Sequence, residues 1–283
     1  LQNSKTYIFM KILDKSKIDK HILPHLSKRK RGPKPTIPLN EIVMIILNRA
    51  KTGSQWRYTS IMDFTNGVKV KWQAIYKQHR KWCKDGSWKR VWTELLKNNH
   101  AALDMSCVQL DGSQTSVKRG GEAVGFQGRK ASKTTNSLFL ADNSGQMLAM
   151  STPQAGSHHD LFEIDKSMKE ILDQLHAAQI NPEGLFLNAD DGFDAQELRK
   201  ICSKENMEAN IKVNPRNTKE AFENEDLYFD DELYKRRTVI EHANAWIDSF
   251  KGLLVRFETS ICSWVSMHYL AFACLFIKKL NTQ

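Results

Sequence analysis

The sequence predicts a chain in two parts: an all-α, helix-turn-helix-like front over residues 1–100, and an α/β domain with a mixed sheet flanked by helices over residues 101–283. Three observations predict it. The charge is unevenly divided: residues 1–100 carry 22 Lys/Arg against 6 Asp/Glu, a net +16, whereas residues 101–283 sum to −6. A basic front of this kind suits a polyanion, and the back must have a different task. The front reads as short amphipathic helices separated by tight turns. From about residue 103, brief apolar runs bounded by Gly, Asn, Asp or Pro replace them and read as strands. At 283 residues, 41% hydrophobic, the chain can bury a substantial core.

Taken in order, residues 27–38 (SKRKRGPKPTIP) form a basic, proline-punctuated linker that cannot be helical. Residues 39–50 read as a helix apolar on most faces, N-capped by Asn40 or Thr36. A turn at Thr52-Gly53 and a short helix over 60–64 follow. Residues 69–84 form a third helix carrying Trp72, Ile75, Tyr76, His79 and Trp82, and residues 87–98 a fourth carrying Trp88, Val91, Trp92, Leu95 and Leu96. Four short helices, one strongly basic, describe a helix-turn-helix-like bundle. Strands are expected at 105–111, 137–141, 147–151, 185–189 and 209–213, with a hairpin turn at Asn143-Ser144-Gly145. Helices are expected at 160–178, 195–205, 234–255 and 265–280, and residues 214–231 read as a loop. Strand, hairpin and helix alternating in this way is an α/β layout.

Several classes drop out. The five cysteines are scattered with no CxxC pair, which disfavours a disulfide framework or a zinc ribbon. The most apolar stretch, 267–277, reads as too short to span a bilayer, and the first residues hold no long apolar leader. No GxxxxGK[ST] loop or GxGxxG follows a strand. A cytoplasmic protein is the expectation.

Three acidic residues stand where elements end or cross. Asp111 closes SCVQLD, Asp190 closes LFLNAD, and Glu241 lies within YKRRTVIEHANAWIDSF, where Tyr234, Arg237, Glu241, Asn244 and Asp248 form one polar stripe. If the two strands are neighbours, both aspartates meet at one sheet edge and the helix adds Glu241. Such a cluster is unfavourable when empty and favourable around hard divalent cations. Each residue also has a plainer account, as a turn or cap aspartate or a solvated helix glutamate.

The segments LDGSQTS, LNADDGFDAQELRK and YKRRTVIEHANAWIDSFKGLLVRFE, in this order, closely resemble the DDE transposases of bacterial insertion sequences, of the insertion-sequence-five type. GSHHDL and the N-terminal KRGPKP, KTGSQWRY and KWCKDGSWKRVWTELL resemble that family too, so the resemblance spans about residues 20–280. Phe193 replaces a family tyrosine, His242 a family arginine, and Asp248 a lysine of related groups for which Lys251 or Arg256 could substitute. The resemblance implies a ribonuclease-H-like catalytic domain. It makes Asp111, Asp190 and Glu241 the catalytic residues and the ligands of two Mg²⁺, with Mn²⁺ a possible replacement. It also makes Tyr234 and Arg237 an accessory pair.

The expected DNA contacts are Lys28, Arg29, Lys30, Arg31 and Lys34 in the linker, Arg57, and Lys71, Lys77, Arg80 and Lys81 on the basic helix. Arg129 and Lys130 of a glycine-rich loop, Tyr234, Arg237, Trp246 and Lys251 complete the set. The tryptophans otherwise read as core, and His158-His159-Asp160, a pattern that also suggests a metal site, reads as a helix start with Asp160 in its first turn. The implied function is cleavage of transposon-end DNA and strand transfer into a target, by a homodimer on paired ends, nucleoid-associated in a bacterial cytoplasm. A catalytically silent, transposase-derived DNA-binding regulator is the alternative.

Overall fold

The computed structural model describes residues 12–28, 35–214 and 229–280. Its front holds α1 (Lys15–His21), α2 (Leu39–Thr52), α3 (Trp72–Lys84) and α4 (Ser87–Lys97). The α2 helix is capped by Pro38 rather than Asn40 or Thr36, and Gly53, at φ +69°, ends it with a bond from its N–H to the Arg49 carbonyl. A run from Ile42 to Leu47 is wholly buried, as a helix apolar on most faces must be. Where a short helix is expected at 60–64, two single 3₁₀ turns stand instead, Trp56–Tyr58 and Met62–Phe64. Helix α1 has only one buried residue, Ile18, and gives too weak a period to be read from sequence.

The sheet contains β1 (Val108–Ser116), β2 (Gly125–Gln127), β3 (Ser132–Asp142), β4 (Met147–Met150), β5 (Gln154–Ala155), β6 (Phe186–Ala189) and β7 (Glu208–Ile211). The strand order is β2-β3-β1-β6-β7, with β4 and β5 also pairing β3. Strand β3 runs antiparallel to β1, while β6 and β7 extend the sheet in parallel. Both β1 and β3 outlast their apolar runs, continuing as polar ribbon through Ser116 and from Ser132. The β3–β4 turn is held by buried Asp142, which accepts from the amides of Ser144 and Gln146.

Helices α5 (Ile164–Ala177), α6 (Gln196–Lys204), α7 (Asp231–Lys235), α8 (Val239–Asp248), α9 (Lys251–Leu254) and α10 (Ile261–Lys279) complete the chain. The single helix expected over 234–255 is three helices joined by a 3₁₀ turn at Arg236–Thr238 and a break at Phe250. Gly252 there lies against the backbone of Ala50, so α9 seats on α2. Helix α5 starts at Ile164, so Asp160 lies in the preceding turn and not in the helix.

By length and composition α10 alone among the described helices matches a membrane span, although the sequence reading made its apolar stretch too short. Its faces are mostly buried, against α2, α3, α4 and α8, and its Phe272 meets Phe139 of β3. Helix α10 thereby merges the N-terminal helices and the sheet into one apolar core. Polar ties follow the same seam: Arg49 of α2 pairs with Glu258 at 2.6 Å, and Lys51 donates to Ser249.

The tryptophans on this seam are core. Trp82, Trp88 and Trp92 are buried, and Trp92 donates to the Leu148 carbonyl at 2.9 Å while its ring meets Phe272 and Phe276. Buried His79 sits between Trp56 and Trp88, and burial pushes its pKa down to about 3, so it packs as a neutral ring. Trp92→Ala removes a large buried ring and strands the Leu148 carbonyl. We expect a loss of about 3–5 kcal/mol in urea unfolding.

Candidate catalytic and nucleic-acid site

The strand pairing builds the site. In the β1–β6 ladder Gln109 stands opposite Asn188. Extending that parallel register by two residues sets Asp111 beside Asp190, on the same face of the sheet. Asp190 has just left β6, and its carboxylate accepts from the Gly192 amide at 2.9 Å. Asp191 is exposed in the 3₁₀ turn, while Asp194 is buried in a salt bridge with Arg199 at 2.8 Å, so the three aspartates of the D-D-G-F-D run have three different surroundings.

Helix α8 crosses the same face. Its polar stripe behaves as one surface: Asn244 donates to Asp111 Oδ2 at 3.2 Å, and one turn earlier Glu241 pairs with Arg237 at 3.5 Å. Burial raises the Tyr234 hydroxyl pKa; the charge of nearby Arg237 opposes this and those of Asp190 and Asp191 add to it. Asn244 was visible in the sequence as a member of the stripe, but only the fold shows that it reaches Asp111.

A further carboxylate was not anticipated. Asp160 accepts from Asn136 at 2.7 Å and occupies the space where a side chain at residue 112 would project. Gly112 is therefore needed for close approach. Nothing in the local sequence relates residues 112 and 160, so the sequence reading missed it.

Burial raises the Asp111 pKa to about 6, and the negative charges of Asp160 and Asp190 add to the rise, opposed by Arg237 and by the Gly112 amide. Asp111 is thus a desolvated carboxyl among like charges, which a hard divalent cation would relieve; oxygen donors from Asp111 and Asp190 fit such an ion. Glu241, with 58% of its side chain exposed, is the acidic residue that α8 offers on this face. The three do not form a closed cage: among the described residues no group of three acidic, His or Cys side chains is already assembled for a metal. Glu241 is turned to Arg237.

The expected DNA contacts are spread more widely. Lys28, Arg57, Lys71, Lys77, Arg129, Lys130 and Lys251 are exposed. Arg29, Lys30, Arg31 and Lys34 lie outside the described residues. Arg80 bonds Ser263 at the start of α10 and Lys81 is half-buried. Trp246 is half-exposed over Gly145 and Val239 at the β3–β4 turn, turned away from the Asn244 side of its helix. Arg256 cannot substitute for a DNA-contacting lysine: it is fully buried, donating to Thr135 at 3.0 Å and to the Glu258 carbonyl. A cavity of about 190 Å³ lies beside the carboxylates, lined by Gly112, Gln114, Gln127, Arg129, Lys130 and Asp160. Lys130 donates to the Gln114 carbonyl at 2.7 Å and, with Lys251, holds down the pKa of Asp248, which burial raises.

A carboxyl whose folded pKa exceeds its unfolded value favours the protonated folded state, so this contribution is present below about pH 4 and lost as pH rises through about 6. In EDTA, Asp111→Asn is therefore expected to unfold at a higher temperature than the parent at pH 7.5, by up to about 3 kcal/mol, and the difference should vanish towards pH 4.

Residues 107–276 match the sequence model of the DDE superfamily endonucleases, and residues 17–92 that of IS4/5-family transposases. No curated protein matches the chain. Two solved structures are similar at low level: the Mos1 transposase paired-end complex with left transposon end (12% identity, 90% of this chain and 82% of that one, TM-score 0.29) and the Mos1 mariner paired end complex with Mn (12%, 90% and 82%, TM-score 0.28). The match over 107–276 covers every strand and carries Asp111, Asp190 and Glu241. The chain belongs to the DDE superfamily endonucleases and is a divalent-metal-dependent DNA transposase with a ribonuclease-H-like catalytic domain.

Proposed function

We propose that this transposase cleaves transposon-end DNA and joins the freed end to a target, using Asp111, Asp190 and Glu241 as ligands of two Mg²⁺, with Mn²⁺ able to replace them. The observation that carries the assignment is the β1–β6 register, which brings two aspartates 79 residues apart to one edge, with α8 across them. Divalent ions held there would supply Lewis-acid activation of the attacking oxygen and charge for the leaving oxygen. Glu241 must exchange Arg237 for that role, which frees the guanidinium to bind a phosphate. Asn244 orients the Asp111 carboxylate, and Tyr234 flanks Asp190.

Residues 1–100, with the linker 27–38, act as the DNA-binding part, and residues 101–283 as the catalytic part. Lys28, Arg57, Lys71 and Lys77 offer exposed charge for duplex backbone, and the remaining linker cations add charge in sequence beside Lys28. Arg129, Lys130 and Lys251 flank the carboxylates and suit the strand being cut. Two ends must be cut together, so the active form is a homodimer, working near the nucleoid in a bacterial cytoplasm.

Asp190→Asn tests the chemistry. Losing one metal-binding carboxylate should lower strand cleavage at least about a thousandfold, with end binding retained; full activity would sink the assignment, and end binding without any EDTA-sensitive cleavage by the parent would favour a silent regulator. Charge contacts are read separately. Lys77→Ala should weaken binding to end and random duplex alike, lowering the slope of log affinity against log salt by about one.

A further inference from the structure

Behind the carboxylates, on the same face of the sheet, lies a row of amides. Gln109, Asn188 and Asn210 occupy paired positions on β1, β6 and β7, and none has any exposed surface. Asn188 precedes Asp190 by two residues and therefore shares its face. Amides are costly in such a place unless their polar atoms are satisfied.

What satisfies two of them is the start of the helical run that carries the site's third acid. Asn210 Nδ2 donates to Asn188 Oδ1 at 2.8 Å and to the Asp230 carbonyl at 3.0 Å, and Asn210 Oδ1 accepts from the Asp230 amide at 2.7 Å. Asn188 Nδ2 donates to the Leu233 carbonyl at 2.8 Å. Asp230 in turn caps α7, accepting from the amides of Glu232 and Leu233 at 2.9 Å. Two side chains thus grip both backbone polar groups of Asp230 and one of Leu233. The next residue is Tyr234, and Arg237 and Glu241 follow on the same polar stripe. Helix α7 has no buried residue of its own, so these bonds supply fastening that apolar packing does not.

We propose that Asn188 and Asn210 are positioning residues. Their buried amide pair sets where the helical run bearing Tyr234, Arg237 and Glu241 enters the site, and hence whether Glu241 can join Asp111 and Asp190. This rests on the reading of those three as the metal-binding acids. Asp190 and Asn188 are neighbours on one strand, so the same strand that presents the second aspartate also indexes the glutamate.

The test compares the parent protein with Asn188→Ala and with Asn210→Ser, which keeps a hydroxyl near Asp230 but cannot span to Asn188. Backbone hydrogen exchange is read over residues 230–245 and over α10, without metal. Cleavage of end DNA is read as a function of Mn²⁺ concentration, and end binding in EDTA. We expect exchange over 230–245 to quicken at least tenfold with α10 unchanged. The Mn²⁺ needed for half-maximal cleavage should rise several-fold, and end affinity should stay within about twofold. Unchanged exchange and an unchanged Mn²⁺ requirement in a folded variant would overturn the proposal, as would equal quickening in α10, which would mark a role in general stability. If instead the parent shows no metal-dependent cleavage, the reaction assignment fails while the exchange result still decides whether the amides hold the helix.

Discussion

Everything at this site depends on the parallel pairing of β1 with β6. The register that places Gln109 opposite Asn188 also places Asp111 alongside Asp190, so two carboxylates with no sequence proximity share one edge. Such an arrangement works against folding, because burial and like charge both disfavour the ionised state of Asp111. The apolar backing of the sheet must therefore carry the cost. Strand β3 rests Phe139 on α10, α10 packs on α2, α3 and α4, and Trp92 of α4 reaches back to the Leu148 carbonyl of β4. The basic front is thus tied covalently and by packing to the sheet whose edge carries the acids.

That coupling changes how the charge asymmetry is understood. The +16 of residues 1–100 and the −6 behind them first suggest a polyanion-binding part attached to a part with a different task. The buried surface is continuous between them, and the Arg49–Glu258 pair and the seat of Gly252 against Ala50 lie along the seam. The Arg-Phe-Glu segment after α9 shows the same economy: Arg256 braces Thr135 within the sheet, and Glu258 binds the N-terminal helix α2. Charged residues there serve the join between front and back, whereas Lys71, Lys77, Lys130 and Lys251 stay exposed.

Much of this was legible in the residues. Strands β4 and β6 and helices α2, α4 and α6 lie within a residue or two of their expected spans, because apolar period and turn residues are local signals. The polar stripe from Arg237 to Asp248 was readable for the same reason, since residues three and four apart share a helix face. Three kinds of feature were not. The polar second half of β1 and the polar first half of β3 have no hydrophobic alternation and exist because each ribbon is the other's partner. The 234–255 run breaks at Phe250 because α9 must seat against α2, a tertiary demand with no local sign. Asp160 meets Gly112 across 48 positions, and the missing side chain at Gly112 is the sole trace of that contact in the sequence.

The separation of Glu241 from the two aspartates follows from the same physics. A strand edge can hold Asp111 and Asp190 together because backbone hydrogen bonds fix the register regardless of side-chain charge. Nothing comparable fixes a glutamate on a surface helix, and bringing it beside two carboxylates without a cation would add a third like charge. Pairing Glu241 with Arg237 avoids that repulsion at little cost, since a half-exposed ion pair is weak and readily exchanged. Under the proposed metal role, the two strand aspartates are a preformed half-site, and the helix acid is a component that a cation would recruit. Such recruitment would need the helix to start from a fixed point, and the buried amides of Asn188, on the strand that presents Asp190, and of Asn210, on the neighbouring strand, give it one.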